Sequence, residues 1–392
     1  MSRAPGVSGP DSLTADLVKS PGGPGPGPGH DPAPGGEAGA GAEVRRLVPG
    51  LRLRAAGGRI ALRLPKRPLA TGFALLAALV TVAVLALGTG DFTVSPADVL
   101  RALAGAGTTA TDYVVNTLRL PRLLVGVVVG AALGLSGAIF QSLARNPLGS
   151  PDIIGFETGA ATGALLQLLV FGGGPFAVAV SAVLGGLGTA LAVYALSYKR
   201  GVQGYRLILV GIAAGALLSS VNAYLMIKAS LDEAHAAAVW LTGSLNGRGW
   251  DQLAPALAAV ALLFPAALLL GPHLRMMEAG DASAKSLGVP VERSRLALVV
   301  VAVLLCATAT AAAGPIAFVA LAAPQLARRL TRSAGVTLIP AALMGALLLT
   351  VSDFAAQRVL APVQLPVGIM TAAIGGLYLM WLLTHEWRAG RR

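Results

Sequence analysis

Ten long apolar runs, separated by short polar connections, constrain the fold of this chain more than any other feature of its sequence. A helix needs about 20 mostly apolar residues, each rising 1.5 Å, to cross the hydrocarbon core of a bilayer. Only 12% of the residues are charged, whereas soluble domains average about 25%. We therefore predict an all-α polytopic membrane protein and exclude a soluble enzyme. The candidate spans are residues 69–90, 121–143, 153–172, 176–197, 207–228, 253–271, 296–313, 315–331, 336–352 and 366–384.

The chain outside these spans divides by composition. Residues 1–43 contain a Pro- and Gly-rich stretch that cannot bury a core, so we predict a disordered cytoplasmic tail, with a specific binding role as the alternative. Residues 44–68 carry eight Lys and Arg residues and are predicted to be a basic juxtamembrane segment beside anionic lipid. The transmembrane domain covers residues 69–385 and includes the long polar inner connection 272–294. Residues 386–392 are a basic C terminus.

The basic residues of the connections predict the orientation of the spans. If the N-terminal segment is placed inside, 24 of the 30 Lys and Arg residues lie on the inner side. The six on the outer side are Arg101, Arg119, Arg122, Lys228, Arg248 and Arg358. An even number of spans then places both termini in the cytoplasm of a multi-pass cell-membrane protein. The net charge of +12 is explained by this asymmetry, so no nucleic-acid partner is predicted.

Small residues recur at every fourth position in several spans. Because lipid supplies no hydrophobic drive between helices, small residues allow the close backbone approach on which packing depends. We predict such packing and, as the alternative, a smooth translocation path lined by the same residues. The glycines concerned are Gly126, Gly130 and Gly134 in the second span, Gly155 and Gly159 in the third, and Gly211 and Gly215 in the fifth.

The sequence contains no recognisable catalytic, cofactor or metal motif. None of its lysines follows a glycine, so it has no GxxxxGK[ST] loop for ATP, and its single cysteine is Cys306. Glu157 and Asp353 lie near the ends of their spans, whereas ion-coupled carriers usually place carboxylates near the membrane midplane. This placement disfavours an ion-coupled secondary transporter, which is the alternative from a different class. Transport driven by ATP would require an ATPase on another chain.

Four stretches together resemble the permease subunits of ABC importers for ferric siderophores, haem and vitamin B12, the FecCD-like family. The similarity covers about residues 69–385 and implies ten helices per subunit in a type II ABC-importer architecture. The string SGAIFQSLARNPLGSPDIIGF is most similar to the ferric-enterobactin type, which implies a catecholate siderophore, with haem or a corrinoid as the alternative cargo. The four stretches are RLPRLLVG to IIG at 119–155, WLTGSLN with Trp250 at 240–250, LGV at 287–289, and GPIAFVALAAPQLARR at 314–329.

The last stretch departs from the family pattern at three positions. The family usually has glycine where this chain has Ala317 and Ala320, and histidine where it has Gln325. These differences leave the packing and the role of the turn before this stretch open.

The resemblance also implies partners and contact sites. The partners are two copies of a cytoplasmic ATP-hydrolysing subunit, a second permease subunit in a homo- or heterodimer, an extracellular or periplasmic siderophore-binding lipoprotein, and the ferric siderophore itself. Arg119, Arg122 and Arg358 are implied to receive acidic residues of the binding protein, although anchoring to lipid headgroups is an equal alternative from charge placement alone.

The inner connection 272–294 is implied to be the coupling element on the ATPase subunit. Its pattern alone predicts a solvated loop with a short surface helix that stops at Gly288. The residues singled out for coupling are Met277, Glu278, Ala284, Leu287 and Gly288.

Overall fold

The computed structural model describes residues 50–55, 60–90, 92–198 and 204–389. The predicted disordered tail, residues 1–43, lies outside the described residues and stays a prediction. The described part begins with a β-hairpin and continues as a bundle of helices.

The hairpin occupies part of the predicted basic juxtamembrane segment. Strand β1 (Gly50–Ala55) pairs antiparallel with β2 (Ile60–Pro65), and Leu51 lies opposite Leu64 in the register. Large apolar residues occupy every second position, at Leu51 and Leu53 in β1 and at Ile60, Leu62 and Leu64 in β2, which is the period of two that a β-strand requires. The prediction for this segment rested on its number of basic residues, and that number carries no information about strands.

Thirteen helices follow in the described part of the chain. Two of them contain a π-helical segment, at Tyr113–Arg119 and at Gln167–Phe171. In chain order the helices are α1 (Lys66–Gly88), α2 (Pro96–Leu103), α3 (Thr109–Ala144), α4 (Phe156–Phe171), α5 (Pro175–Ser197), α6 (Gly204–Lys228), α7 (Leu231–Leu241), α8 (Trp250–Glu278), α9 (Asp281–Ser286), α10 (Val291–Ala313), α11 (Val319–Thr331), α12 (Leu338–Ala356) and α13 (Val367–Ala389).

The prediction of an all-α polytopic protein with about ten helices is confirmed. Seven of the described helices are long and apolar enough to cross a membrane, namely α1, α3, α5, α6, α8, α10 and α12. The shorter apolar helices α4 and α13 coincide with the third and tenth predicted spans. Helices α3 and α8 extend well beyond the runs that predicted them. Helix α8 continues through Pro255, Pro265 and Pro272, because neighbouring groups in a membrane protein can satisfy the backbone that proline frees.

The eighth predicted span, 315–331, is wrong as a full-length span. Helix α11 has 13 residues, about 20 Å, against a hydrocarbon core of about 30 Å. The chain before it is irregular, with φ of 77° at Gly314 and 69° at Phe318. The carboxylate of Glu157 accepts the backbone N–H of Ile316 at 2.6 Å, which replaces a helical hydrogen bond. Non-helical backbone at this depth is therefore held by protein groups, as the absence of water in a bilayer demands.

Helix α3 lies at the centre of the bundle and contacts α8, α10, α11 and α12. Its glycines set the distance to two of these neighbours. A Cβ on Gly130 or Gly134 would overlap a backbone carbonyl of α12, at Gly345 or Ala341, and one on Gly137 would overlap a carbonyl of α11. Small residues in membrane helices allow the backbones of two helices to come this close.

A second region of close approach joins α4 to α5 and α6. Gly159 faces Gly185 and Thr189 of α5. Gly155 lies just before α4 with φ of 83°, and it faces Gly211 and Gly215 of α6 rather than α5. The glycines of the third span therefore serve two different neighbours and do not form a single stripe.

Candidate functional site

Charged and polar groups gather at the two ends of the bundle. At one end the indole N–H of Trp250 donates to the carbonyl of Asn116 at 3.1 Å, and the start of α3 meets the end of α1. At the opposite end Arg145 and Asp281 meet after α3 and α8 have ended. Arg119 and Arg145 thus lie at opposite ends of the bundle.

Arg122 and Asp353 form a nearly buried ion pair at the predicted outer end. Arg122 Nε and Nη2 donate to the two carboxylate oxygens at 3.1 and 2.9 Å, and Nη1 donates to Gln364 at 2.9 Å. The two side chains are only 14% and 9% exposed. A bidentate guanidinium–carboxylate pair is strong and directional, so this contact fixes α3 to α12.

Arg119 and Arg358 are also engaged within the chain. Arg119 donates to the carbonyls of Leu87 and Phe92 at 2.7 and 2.6 Å, which satisfies backbone acceptors where α1 ends. Arg358 donates to the carbonyl of Phe354, bonds the hydroxyl of Thr89, and lies 3.7 Å from the centroid of the Phe354 ring. Loss of water lowers the pKa of Arg358, and the charge of Asp353 opposes this shift. The three arginines therefore brace this end of the bundle, whatever else they bind.

The short helix α9 carries a charge cluster at the predicted inner end. The carboxylate of Asp281 accepts hydrogen bonds from Arg145 at 2.6 Å and from Arg295 at 2.7 Å. Arg295 is almost fully buried and also bonds Glu292 at 3.2 Å. Burial by itself would raise the pKa of Asp281, but the bonds and charges of Arg295 and Arg145 prevail and hold that pKa below its usual value. Asp281 therefore ties α9 to the ends of α3 and α10.

The predicted inner connection 272–294 is shorter than its polar residues suggested, because α8 continues to Glu278 and α10 begins at Val291. Met277 lies in α8 and Leu287 lies beyond α9, so they do not share the predicted surface helix. In α9 only Ala284 is buried, whereas Leu287 is 69% exposed. The residues from Ala282 to Gly288 therefore present an open surface.

The end of this segment and its link to the bundle are well defined. Gly288, with φ of 82°, follows the last turn of α9, as the predicted helix stop requires. Glu278 accepts the Ser142 hydroxyl at 2.8 Å and the Val336 N–H at 3.3 Å, so it joins α8 to α3 and to the start of α12. Gln325, at the position where histidine was expected, donates to the carbonyl of Pro147 at 2.8 Å.

Sequence reasoning missed the two acidic residues that organise these ends. The sequence indicates Asp353 only as a carboxylate near a span end, and it gives no reason to distinguish Asp281 from other polar residues of the inner connection. Arg122 and Asp353 are 231 residues apart, and no spacing rule in a single sequence connects them. One signal in the sequence could have indicated these residues. Charged residues are rare in this chain, and an acidic residue beside an apolar span needs a basic partner, so each such carboxylate is a candidate for an ion pair.

This arrangement of long apolar helices, a half-length helix and two charged ends defines a polytopic helical membrane protein. Residues 77–385 match the FecCD transport family, and the chain belongs to this family.

Individual relatives extend the match over nearly their whole lengths. The ferric enterobactin transport system permease protein FepG of Escherichia coli (strain K12) is 47% identical over 82% of this chain and 98% of its own. The Fe(3+)-citrate import system permease protein YfmE of Bacillus subtilis (strain 168) is 37% identical over 83% and 98%. Among solved structures, a metal-chelate type ABC transporter in an inward-facing conformation is similar with a TM-score of 0.69 and 29% identity, covering 81% of this chain and 99% of that one.

Proposed function

We propose that this chain is the transmembrane permease subunit of an ATP-driven importer of ferric siderophores of the catecholate type, and that it forms part of the translocation path. The observation that carries the proposal is the 47% identity to FepG, whose name assigns ferric enterobactin to it, over 98% of that protein. The permeases named for ferric citrate and ferric hydroxamate are 37% and 36% identical. The chain itself supplies no ATPase, since it lacks a phosphate-binding loop.

The partners follow from membership of the family. Two ATP-hydrolysing subunits contact the inner end of the bundle, a second permease subunit completes the path, and a siderophore-binding lipoprotein docks at the outer end. The chain lies in the cell membrane with both termini in the cytoplasm. This orientation is supported by the distribution of Lys and Arg residues, 24 of which belong to the inner side.

We expect expression of the chain, in a deletion strain that retains its partners, to restore uptake of a labelled ferric catecholate. Ferric citrate and a ferric hydroxamate serve as controls, because both are siderophore complexes that relatives of this chain are named for. Uptake is measured as cell-associated iron, and the amount of permease in the membrane is measured in parallel. Equal restoration of all three complexes, or restoration of haem or corrinoid uptake alone, would show that the catecholate assignment is wrong.

The exposed side chains of α9 and of the residues that follow it, up to Gly288, are proposed to contact the ATPase subunit. Of the predicted coupling residues, Met277 and Ala284 are buried at 4% and 0% exposure, so they support this segment from within the core and do not reach a partner. Support comes from the exposed surface between Ala282 and Gly288 and from the ion pairs of Asp281, one of them with the nearly buried Arg295. A coupling element must transmit motion, and a helix held by ion pairs to α3 and α10 moves with them. Leu287 provides an exposed apolar side chain for the partner.

Replacing Asp281 with alanine should reduce uptake and the amount of ATPase that co-purifies, while leaving the permease inserted. The change leaves Arg295 with Glu292 alone and Arg145 with the carbonyl of Met277. Because the pKa of Asp281 is lowered in the folded state, its contribution is present above the ordinary pKa of aspartate and is lost as the pH falls through the lowered value.

The control for this experiment is Asp98→Ala, which removes an exposed ion pair with Arg101 at the opposite end of the bundle. Exposed pairs contribute little, so this variant should resemble the parent. Normal ATPase recovery and normal uptake with Asp281→Ala would contradict the coupling role.

The outer end, around Arg119, Arg122 and Arg358, is proposed as the docking surface for the binding protein. These basic residues lie together at one end of the helices, which suits carboxylates on a partner. Each arginine also makes hydrogen bonds within the chain, so a variant that removes its charge could lose uptake either because docking fails or because the fold is weakened.

A further inference from the structure

A large apolar groove opens on the side of the bundle, away from the charge clusters at its two ends. Its volume is about 720 Å³, which is within the usual range of small-molecule sites. The walls come from the first turns of α5 and α8, the last turn of α10 and the end of α7. Its representative lining residues are Phe176, Val180, Leu184, Trp240, Ala256 and Ala311.

The depth of the groove matches one leaflet of a bilayer. Along α5 it extends from Pro175 to Leu184, which at 1.5 Å per residue is about 14 Å. Half of a hydrocarbon core of about 30 Å is about 15 Å. The groove therefore begins at the outer end of the helices and closes near the middle of the membrane, where an acyl chain of that leaflet would end.

One basic residue, Arg248, stands at the polar mouth of the groove. Its Nε donates to the carbonyl of Ser244 at 3.3 Å, and among the described residues it makes no ion pair. Burial lowers the pKa of this guanidinium, and no carboxylate offsets the effect. A partly desolvated arginine with donors to spare is a binding group for an anion such as phosphate.

A carboxylate completes the mouth. Asp251 also lines it, in the first turn of α8, and it forms no ion pair within the described part of the chain. Trp240 lines the apolar part of the groove and packs against the buried cluster of Ala160, Ala164, Ala182 and Ala307. One basic and one acidic side chain at the end of an apolar groove suit a headgroup that itself carries a phosphate and an amine.

We propose that this groove binds a zwitterionic glycerophospholipid from the outer leaflet. Its phosphate contacts Arg248, its amine lies at Asp251, and one acyl chain follows α5 and α8 toward the membrane centre. The site involves none of the residues assigned to docking or coupling, so it does not depend on the identity of the cargo.

The test is native mass spectrometry of the full chain in mild detergent, supplied with phosphatidylethanolamine or phosphatidylglycerol. The parent should retain one phosphatidylethanolamine in preference to phosphatidylglycerol. Arg248→Gln should weaken retention about tenfold, because it removes a charge-assisted hydrogen bond. Asp251→Asn should shift the preference toward phosphatidylglycerol. Ala179→Phe, which fills the groove from α5, should abolish retention of both lipids.

Two matched controls lie outside the groove. Arg101→Gln removes a basic residue from the same end of the bundle, and Ala213→Phe adds a ring to the exposed side of α6. Both variants should retain lipid like the parent. Unchanged retention in Arg248→Gln would overturn the proposal, as would displacement of the lipid by soluble glycerol phosphate. Disulfide cross-linking between subunits that each carry Leu184→Cys would assign the groove to a permease partner instead.

Discussion

Replacing Gly137 with alanine should prevent this protein from accumulating in a folded state. A Cβ at this position would penetrate the carbonyl oxygen of Ala320, and the neighbouring backbone atoms of Ala320 are also too close. The obstacle is main chain and not the flexible end of a side chain, so relief requires α3 and α11 to separate. Overpacking in a core typically costs about 1–3 kcal/mol, and a clash with backbone belongs at or above the upper limit.

The position of Gly137 makes the effect large for the whole bundle. Helix α3 packs most extensively against α8, α10, α11 and α12, and α11 is the half-length helix whose entry is held by Glu157. Moving α11 outward would disturb the bond between Gln141 and the carbonyl of Leu321, which is buried and measures 2.9 Å. Leaving such a group unpaired costs a further 1–3 kcal/mol or so.

The matched control is Gly188→Ala on α5, where no neighbouring helix or loop has an atom within 4 Å of the added Cβ. Alanine in a helix is favoured over glycine by about 1 kcal/mol, so this variant should be as stable as the parent or more so. The measurements are the yield of monodisperse protein in detergent and its thermal midpoint. Equal stability of the two variants would contradict the close helix contact at Gly137.

Much of the fold could be predicted because the length and apolar character of a run determine whether it can cross a membrane. Nine of the ten predicted spans coincide with helices on this basis. The exception, 315–331, has the composition of a span but not its backbone. Its irregular start depends on Glu157, which is distant in sequence and replaces a helical hydrogen bond at Ile316. A hydropathy average over local residues cannot contain that information.

The sequence predicted which types of residue lie at the two ends of the bundle, but it did not predict which residues contact each other there. The distribution of Lys and Arg residues predicted that Arg119, Arg122 and Arg358 lie on the same side of the membrane, and in the structure they lie at the same end of the bundle. Their actual partners are carbonyls, a ring and Asp353, which only tertiary contacts can reveal. Likewise the glycines of α3 were expected to pack helices, but the sequence could not tell which neighbour each of them would approach.

The ion pair between Arg122 and Asp353 allows the structural and docking roles of Arg122 to be separated. Arg122→Met alone should destabilise the protein by about 3–5 kcal/mol, because it leaves a nearly buried carboxylate with Gln357 as its remaining side-chain donor. Asp353→Leu alone should have a similar effect, since Arg122 then keeps only Gln364. The double variant replaces both charges by apolar groups of similar size, which is often neutral for stability.

Uptake should respond differently from stability in this cycle. If Arg122 also receives a carboxylate of the binding protein, the double variant will insert and fold like the parent but import the ferric siderophore poorly, and added binding protein will stimulate its ATPase less. The control is the exposed pair Asp98→Leu with Arg101→Met, for which neither measurement should change appreciably. Parental uptake by a stably folded Arg122→Met/Asp353→Leu variant would show that Arg122 only braces α3 against α12, and the docking role would then be left to Arg119 and Arg358.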